Sequence, residues 1–346
     1  MTVKEVTTLP RAEVPNSAGP LLRVEDLAVV FHTEEGDAHA VDGVSFSLNQ
    51  GETVALVGES GCGKSVTALS LLRLIPSPPG RIAAGRIFFD GRDILTLSET
   101  AVRSIRGNDI SMVFQEPMTA LNPVFRVGAQ ISAVLRVHRN LTRAEARDAT
   151  IELMRRVGIP APEKRLDEFP HQMSGGMLQR IIIAMALACN PKVLIADEPT
   201  TALDVTIQAQ ILELLLHLQR QSDLAIVLIT HDLAVVAETA HHVVVMYAGK
   251  VVETATVAEL FDNPMHPYTK GLFASLPSVN KPGNRLAAIP GIVPAATNLP
   301  PGCRFHPRCV HVMPQCSEHE PPLACGAAAH PVACWLYHKQ PGEAQP

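Results

Sequence analysis

Eight residues, Gly58-Glu59-Ser60-Gly61-Cys62-Gly63-Lys64-Ser65, have the types and spacing needed to hold phosphate. The glycines let the backbone curl so that its N–H groups face inward. Those donors and the N-terminus of a following helix cradle phosphate oxygens. Lys64 is placed to reach the β- and γ-phosphates of a nucleotide, and the Ser65 hydroxyl to ligate Mg²⁺. A β-branched run, Thr53–Val57, precedes the loop and a helical pattern, Ser65–Leu74, follows it, which is the setting the motif requires. With Gly at about 7% of residues, a chance match in a chain of this length is on the order of one per cent.

A second cluster of chemistry lies at Val193-Leu194-Ile195-Ala196-Asp197-Glu198, an apolar strand ending in two carboxylates. Mg²⁺ is a hard cation that takes oxygen ligands, often through water, and Asp197 fits that role. Glu198 is then placed to polarise an attacking water as general base. Alone, two acids after a strand read as a helix cap and a solvated neighbour. The upstream phosphate loop favours the chemical reading.

The elements that must position these residues follow from the apolar periodicity. Thr53–Val57, Ile110–Phe114, Val193–Ala196, Ala225–Thr230 and Val243–Tyr247 read as buried strands. Ser65–Leu74, Arg143–Val157, Gly176–Ala188 and Ile207–Gln219 read as helices between them. This alternation predicts an α/β layer architecture with a mostly parallel sheet. Val24–Val30, Val41–Leu48 and Gly85–Phe89 predict an antiparallel β region.

The 346 residues carry a net charge of -5 and are 47% apolar. At about 100–200 residues per domain, that is roughly two domains, or one with an appendage. The mild acidity gives no basic footprint for nucleic acid. The longest apolar stretch, near Ile181–Ala196, is broken by Asn190-Pro191-Lys192, and a membrane span needs about 20 apolar residues. Residues 1–20 mix charges with prolines and lack the apolar core of a signal peptide, so they read as a flexible tail. Residues 21–262 form the main domain. After Asp262 prolines crowd in, opposing regular helix or central strand, and residues 263–346 read as a separate irregular module.

That module holds Cys303, Cys309, Cys316, Cys325 and Cys334, while Cys62 and Cys189 stand apart. Clustered cysteines in a reducing compartment favour a metal site over disulfides. Cys303-x5-Cys309-x6-Cys316-x17-Cys334 offers four thiolates for zinc or for an iron–sulfur cluster. The spacing is that of neither a zinc ribbon nor a ferredoxin, so zinc, iron–sulfur and no metal all stay open on spacing alone. His306, His311 and His319, interspersed, read as solvated residues.

Met173-Ser174-Gly175-Gly176-Met177, followed by Gln179-Arg180 and a helix, resembles the signature motif of the ATP-binding cassette (ABC) ATPases. Met177 stands where Gln is more common, a departure frequent in one subfamily. Ser174 and the N–H groups of Gly175 and Gly176 open a helix whose positive end can bind a γ-phosphate. The resemblance implies that this phosphate belongs to ATP on an opposing subunit, so that two subunits sandwich two ATPs. It implies an ABC-type fold with a helical subdomain at about 116–190, and ATP contacts from Gly58 through Val66. It also implies that Gln115 touches Mg²⁺ and the attacking water, that Asp204 in Thr201-Ala202-Leu203-Asp204 crosses the dimer interface, and that His231 bonds the γ-phosphate. Phe31 is the candidate for stacking on adenine, and Thr33–His39 beside it resembles an insertion.

Within that family the chain is similar to ATPase subunits of bacterial dipeptide/oligopeptide importers. The stretches that carry this are Gln115-Glu116-Pro117-Met118-Thr119-Ala120-Leu121-Asn122-Pro123, Glu198-Pro199-Thr200-Thr201-Ala202-Leu203-Asp204-Val205-Thr206 and His266-Pro267-Tyr268-Thr269-Lys270-Gly271-Leu272. The narrower resemblance implies ATP hydrolysis driving peptide import, with nickel or another small solute as the alternative cargo. It implies a [4Fe-4S] cluster on Cys303, Cys309, Cys316 and Cys334, with Cys325 free. It also implies a second ABC ATPase subunit (a paralogue), two permease subunits, an extracytoplasmic solute-binding protein, and peripheral attachment at the cytoplasmic face of the membrane. A soluble ABC-type ATPase acting on nucleic acid or ribosomes, and a metal-sensing regulator, are the rivals from other classes. A single cassette without a heptad run weighs against the former.

Overall fold

The computed structural model describes residues 19–115, 120–201, 203–275, 289–325 and 330–338. Twelve strands are present among them: β1 (Leu22–Thr33), β2 (Gly36–Leu48), β3 (Thr53–Val57), β4 (Gly80–Phe89), β5 (Arg92–Asp93), β6 (Ile110–Val113), β7 (Val193–Asp197), β8 (Ala225–Thr230), β9 (His242–Tyr247), β10 (Lys250–Thr256), β11 (Ala324–Cys325) and β12 (Pro331–Val332). They form a four-stranded sheet in the order β2-β1-β4-β5 and an eight-stranded sheet in the order β11-β12-β10-β9-β3-β8-β7-β6. The small sheet is antiparallel, and β3, β6, β7, β8 and β9 of the large one run parallel.

β3, β7 and β8 are buried along their whole length. Such continuous apolar runs fit strands covered on both faces. Successive side chains point to opposite faces of a strand. Val193 and Ile195 of β7 therefore join the core under the small sheet, while Leu194 and Ala196 join the core under the helices. In β3, Val54 and Leu56 enter the first core, and Ala55 and Val57 a third one.

The helical layer contains Val127–Arg139, Arg143–Arg156 and Gly175–Leu187. The expected helix at Arg143–Val157 is there almost to the residue, because Thr142 and Glu145 form a reciprocal cap at its start. Val127–Arg139 lies outside the helices read from sequence. It buries only Val127, Gly128, Ile131 and Leu135, a sparse stripe among polar residues.

Beyond Asp262 the described residues form the helix Pro267–Ala274, a short helix Pro314–Glu318, 3-10 turns and the brief strands β11 and β12. This stretch leans on the large sheet. Val332 of β12 pairs with Glu253 of β10, and Tyr268 and Phe305 share the third core with Val243, Val245 and Tyr247 of β9. Residues 1–18 of the expected tail, residues 116–119, Ala202 and the Cys325 side chain lie outside the described residues.

Candidate active site

Strand order assembles the site. β6, β7, β8 and β3 lie side by side and parallel, so the loops leaving their carboxyl ends emerge at one edge. Gln115 follows β6, Asp197 ends β7 with Glu198 next, His231 follows β8, and the phosphate loop follows β3. Ligand clefts of parallel α/β sheets lie at this edge.

The loop shape depends on two glycines in particular. A Cβ on Gly58 would stand 2.2 Å from the Met246 carbonyl oxygen, and one on Gly63 would stand 2.4 Å from that of Ala40. Lys64 opens the helix Lys64–Leu71, and its ammonium donates to the carbonyls of Gly58 (2.7 Å) and Glu59 (3.0 Å). The Cys62 thiol is buried beside that ammonium, 3.7 Å away, and burial pushes its pKa up. Ser60 and Gly61 are the exposed crest, and Val66 is partly buried in the helix behind.

The Ser65 hydroxyl donates to Asp197 Oδ1 at 3.1 Å, which brings together the two oxygen donors expected to share a cation. Asp197 is buried, and burial raises its carboxyl pKa, opposed by the Ser65 hydrogen bond. A nearby dication would reverse that shift, since opposite charge favours the ionised form.

Glu198 lies at φ 46, a left-handed conformation that costs a non-glycine residue about 1–2 kcal/mol. Its N–H donates to the Ile229 carbonyl of β8. Three side chains surround its carboxylate: Gln115 Nε2 donates at 3.0 Å, Thr201 Oγ1 donates at 2.8 Å, and His231 Nδ1 stands 3.5 Å away. Gln115 and His231 are exposed, so this face opens to solvent.

Ser174 caps the helix Gly175–Leu187 by accepting from the Met177 N–H. A Cβ on Gly176 would meet Ile207 at 2.8 Å, whereas Ser174 and Gly175 are exposed. Among the described residues, no hydrogen bond or ion pair joins this turn to the phosphate loop. Asp204 is exposed and caps the helix Val205–Ser222 by accepting from the Ile207 N–H. Phe31 is partly buried in β1, with its ring against Gly80 at the margin of the first core.

Three residues reach the site that the sequence reading did not assign to it. Besides Thr201, Tyr268 accepts from the Glu59 N–H at 2.7 Å, and Arg308 forms a two-pronged ion pair with the Glu59 carboxylate at 2.6 and 3.0 Å. Nothing local signals either, because each lies about 200 residues or more from its partner.

The four cysteines form a looser group. Cys303 donates its N–H to the Cys316 carbonyl, and burial pushes the Cys303 and Cys334 thiols up to about 11, with neighbouring thiols adding to the rise. Among the described residues, no three His, Cys, Asp or Glu side chains surround one metal position. His306 is held by the Cys303 carbonyl.

Residues 41–201 match the family model described as ABC transporter, and residues 252–316 match the oligopeptide/dipeptide transporter C-terminal region. The chain is 52% identical over 327 residues to the oligopeptide transport ATP-binding protein OppD of Bacillus subtilis (strain 168), covering 94% of this chain and 91% of that protein. It is 51% identical over 316 residues to the dipeptide transport ATP-binding protein DppD of the same organism, covering 91% and 94%. Among solved structures, an ATP-binding cassette dimer bound to ADP and Pi in a post-hydrolysis state superposes with a TM-score of 0.62 at 26% identity, covering 68% of this chain and 98% of that one. The cbiO1 protein of Clostridium perfringens does so at 0.59 and 30% identity, covering 70% and 91%.

Proposed function

This chain belongs to the ABC transporter ATPases of the oligopeptide/dipeptide importer type, and from that premise we propose the role of each residue in its site. The protein is the ATP-binding subunit of such an importer, and ATP hydrolysis is coupled to peptide import. The observation that carries the assignment of roles is the Glu198 carboxylate held between Gln115, Thr201 and His231, beside the Ser65–Asp197 pair.

Gly58 through Val66 hold the phosphates, with Lys64 released from the Gly58 and Glu59 carbonyls to meet them. Ser65, Asp197 and Gln115 supply oxygen donors for Mg²⁺, and the hard-oxygen set at Ser65 and Asp197 fits that ion. Bound there, Mg²⁺ neutralises charge on the β- and γ-phosphates. Glu198 takes a proton from the attacking water, Gln115 orients that water, and His231 hydrogen-bonds the γ-phosphate. Phe31 stacks on adenine. The Ser174-Gly175-Gly176-Met177 turn acts on ATP held by a second subunit, and Asp204 lies at the interface with it. The exposure of Ser174, Gly175 and Asp204 supports that reading.

The same family reading divides the chain into a tail (1–20), a nucleotide-binding domain (21–262, with a helical subdomain at about 116–190) and a C-terminal module (263–346). The partners are a second ATPase subunit, a paralogue, two permease subunits and an extracytoplasmic solute-binding protein. No helix among the described residues is long and apolar enough to cross a membrane. Likeness to importer ATP-binding subunits supports a peripheral place at the cytoplasmic face, held by the permeases.

We assign Cys303, Cys309, Cys316 and Cys334 to a [4Fe-4S] cluster. The soft thiolate set and the mutual influence of the four thiols support it. Zinc held by the same four thiolates is the alternative. Bound there, the cluster supplies a cross-link and no catalytic step.

Glu198→Gln tests the assignment of the base. It should leave ATP binding intact and lower turnover by about 10²–10⁴-fold, the range general bases contribute. Undiminished hydrolysis would overturn it.

A further inference from the structure

Glu59 is a junction. Its carbonyl accepts from Lys64, its N–H donates to the buried Tyr268 hydroxyl, and its carboxylate takes both prongs of Arg308. Arg308 has only 4% of its side chain exposed, and all five of its N–H donors have partners. Besides Glu59, these are the Pro290 carbonyl at 2.8 Å, the Ile289 carbonyl at 3.3 Å and the Tyr247 hydroxyl at 3.4 Å. A guanidinium bound on every side fixes what it holds more firmly than an ammonium would.

A parallel tie runs to the other arm of the loop. Arg304 donates to the Ala248 carbonyl and pairs with the Asp42 carboxylate. The next residue, Gly249, donates its N–H to the Cys62 carbonyl. Glu59 and Cys62, on either side of the loop's exposed crest, are thus both tied to residues 304–308. That segment lies between Cys303 and Cys309.

We propose that Arg308 is a positioning residue of the ATP site, acting through Glu59, so that the 303–309 segment is the back wall of the phosphate loop. The proposal rests on the reading of Gly58–Ser65 as that site and extends it to a part of the chain outside the nucleotide-binding domain. The Glu59 carboxylate is taken up by Arg308. Holding it sets the loop's shape before nucleotide arrives, so the effect falls on binding, and equally on ATP and ADP.

The test is a steady-state and binding comparison of Arg308→Met, Glu59→Gln and the double variant in the assembled complex, with Lys64→Ala alongside. Losing a charge-assisted two-pronged pair should raise the KM for ATP and the Kd for ADP about 10-fold or more, with kcat at saturating ATP within about 2-fold in Arg308→Met. The double variant should be no worse than the poorer single one, since both remove one link. Arg308→Lys should recover part of the affinity. Unchanged KM and Kd in Arg308→Met, or losses in the two single variants that add in full, overturn the proposal. If Arg308→Met fails to fold, Glu59→Gln, at a part-exposed carboxylate, carries the same test, and unchanged affinity there overturns it. ATP binding retained in Lys64→Ala would instead overturn the site itself.

Discussion

The edge of the parallel sheet and the cysteine-bearing segment behind it reach the same loop by opposite means. At the sheet edge, each functional side chain sits within two residues of a strand end, so the hydrogen-bond ladder places it. Gln115, Asp197, Glu198 and His231 are brought together because β6, β7 and β8 are neighbours in register. Residues 303–309 have no strand to place them. They are fixed by Phe305 in the third core and by two arginines that satisfy carbonyls and carboxylates at the back of the loop. Regular structure positions by periodicity, whereas irregular structure positions by anchoring individual charged side chains.

The largest expected effect lies at the sheet edge. Gly58→Ala would drive a Cβ into the Met246 carbonyl, a backbone atom that has no room to yield. ATP binding should fall by about 100-fold or more, because the loop can no longer curl. Near-normal ATP affinity in that variant, measured by equilibrium binding, would break the claim that ladder-placed backbone shapes this half of the site.

A smaller effect is expected from the anchored segment. Cys334→Ser should lower iron and acid-labile sulfide content and the melting temperature, by about 1–2 °C for each kcal/mol lost in a chain of this size. Turnover at saturating ATP per folded molecule should change little, because none of Cys303, Cys309, Cys316 and Cys334 lies in the phosphate loop. Zinc in place of iron would remove the cluster from the account.

The smallest effect is a control remote from both regions. The Glu52 carboxylate pairs with His242 at 3.1 Å. That hydrogen bond raises His242 above its ordinary 6.5. Burial pushes Glu52 up, but its bonds to His242 and Asn49 prevail and hold it below its ordinary 4.5. The raised His242 contributes stability below 6.5 that is lost as pH rises through its folded value. The lowered Glu52 contributes above 4.5 and loses it as pH falls through its own. The stability lost in His242→Gln should therefore peak between 4.5 and 6.5, and a pH-independent loss would contradict the pairing.

The same contrast explains what could be read in advance. The phosphate loop, the acidic strand end and the parallel α/β architecture were legible because they are local: a glycine spacing, a β-branched run, two carboxylates after it. The helix at Arg143 was legible from its apolar periodicity, and the structure adds the cap from Thr142 and Glu145. Val127–Arg139 was not, since its few buried residues are scattered among polar ones. Thr201, Tyr268 and Arg308 were not, because their roles exist only through partners far away in sequence or across a turn. Prolines after Asp262 argue against regular helix or central strand, and they do not reveal the helix Pro267–Ala274, the pairing of β12 with β10, or the entry of Phe305 into a shared core.

The central claim is that the chain carries half of a catalytic site. Ser174 and Gly175 are exposed, and their turn makes no hydrogen bond or ion pair to the phosphate loop of the same chain among the described residues. The direct measurement is ATP binding and ATP turnover by the dilute isolated chain, before and after a second ATPase subunit is added. The account predicts that the isolated chain binds ATP with little turnover, that the second subunit restores turnover, and that a Ser174→Arg copy of this chain fails to support hydrolysis at the opposing site. Full turnover by the dilute chain alone, unchanged when the second subunit is added, would contradict it.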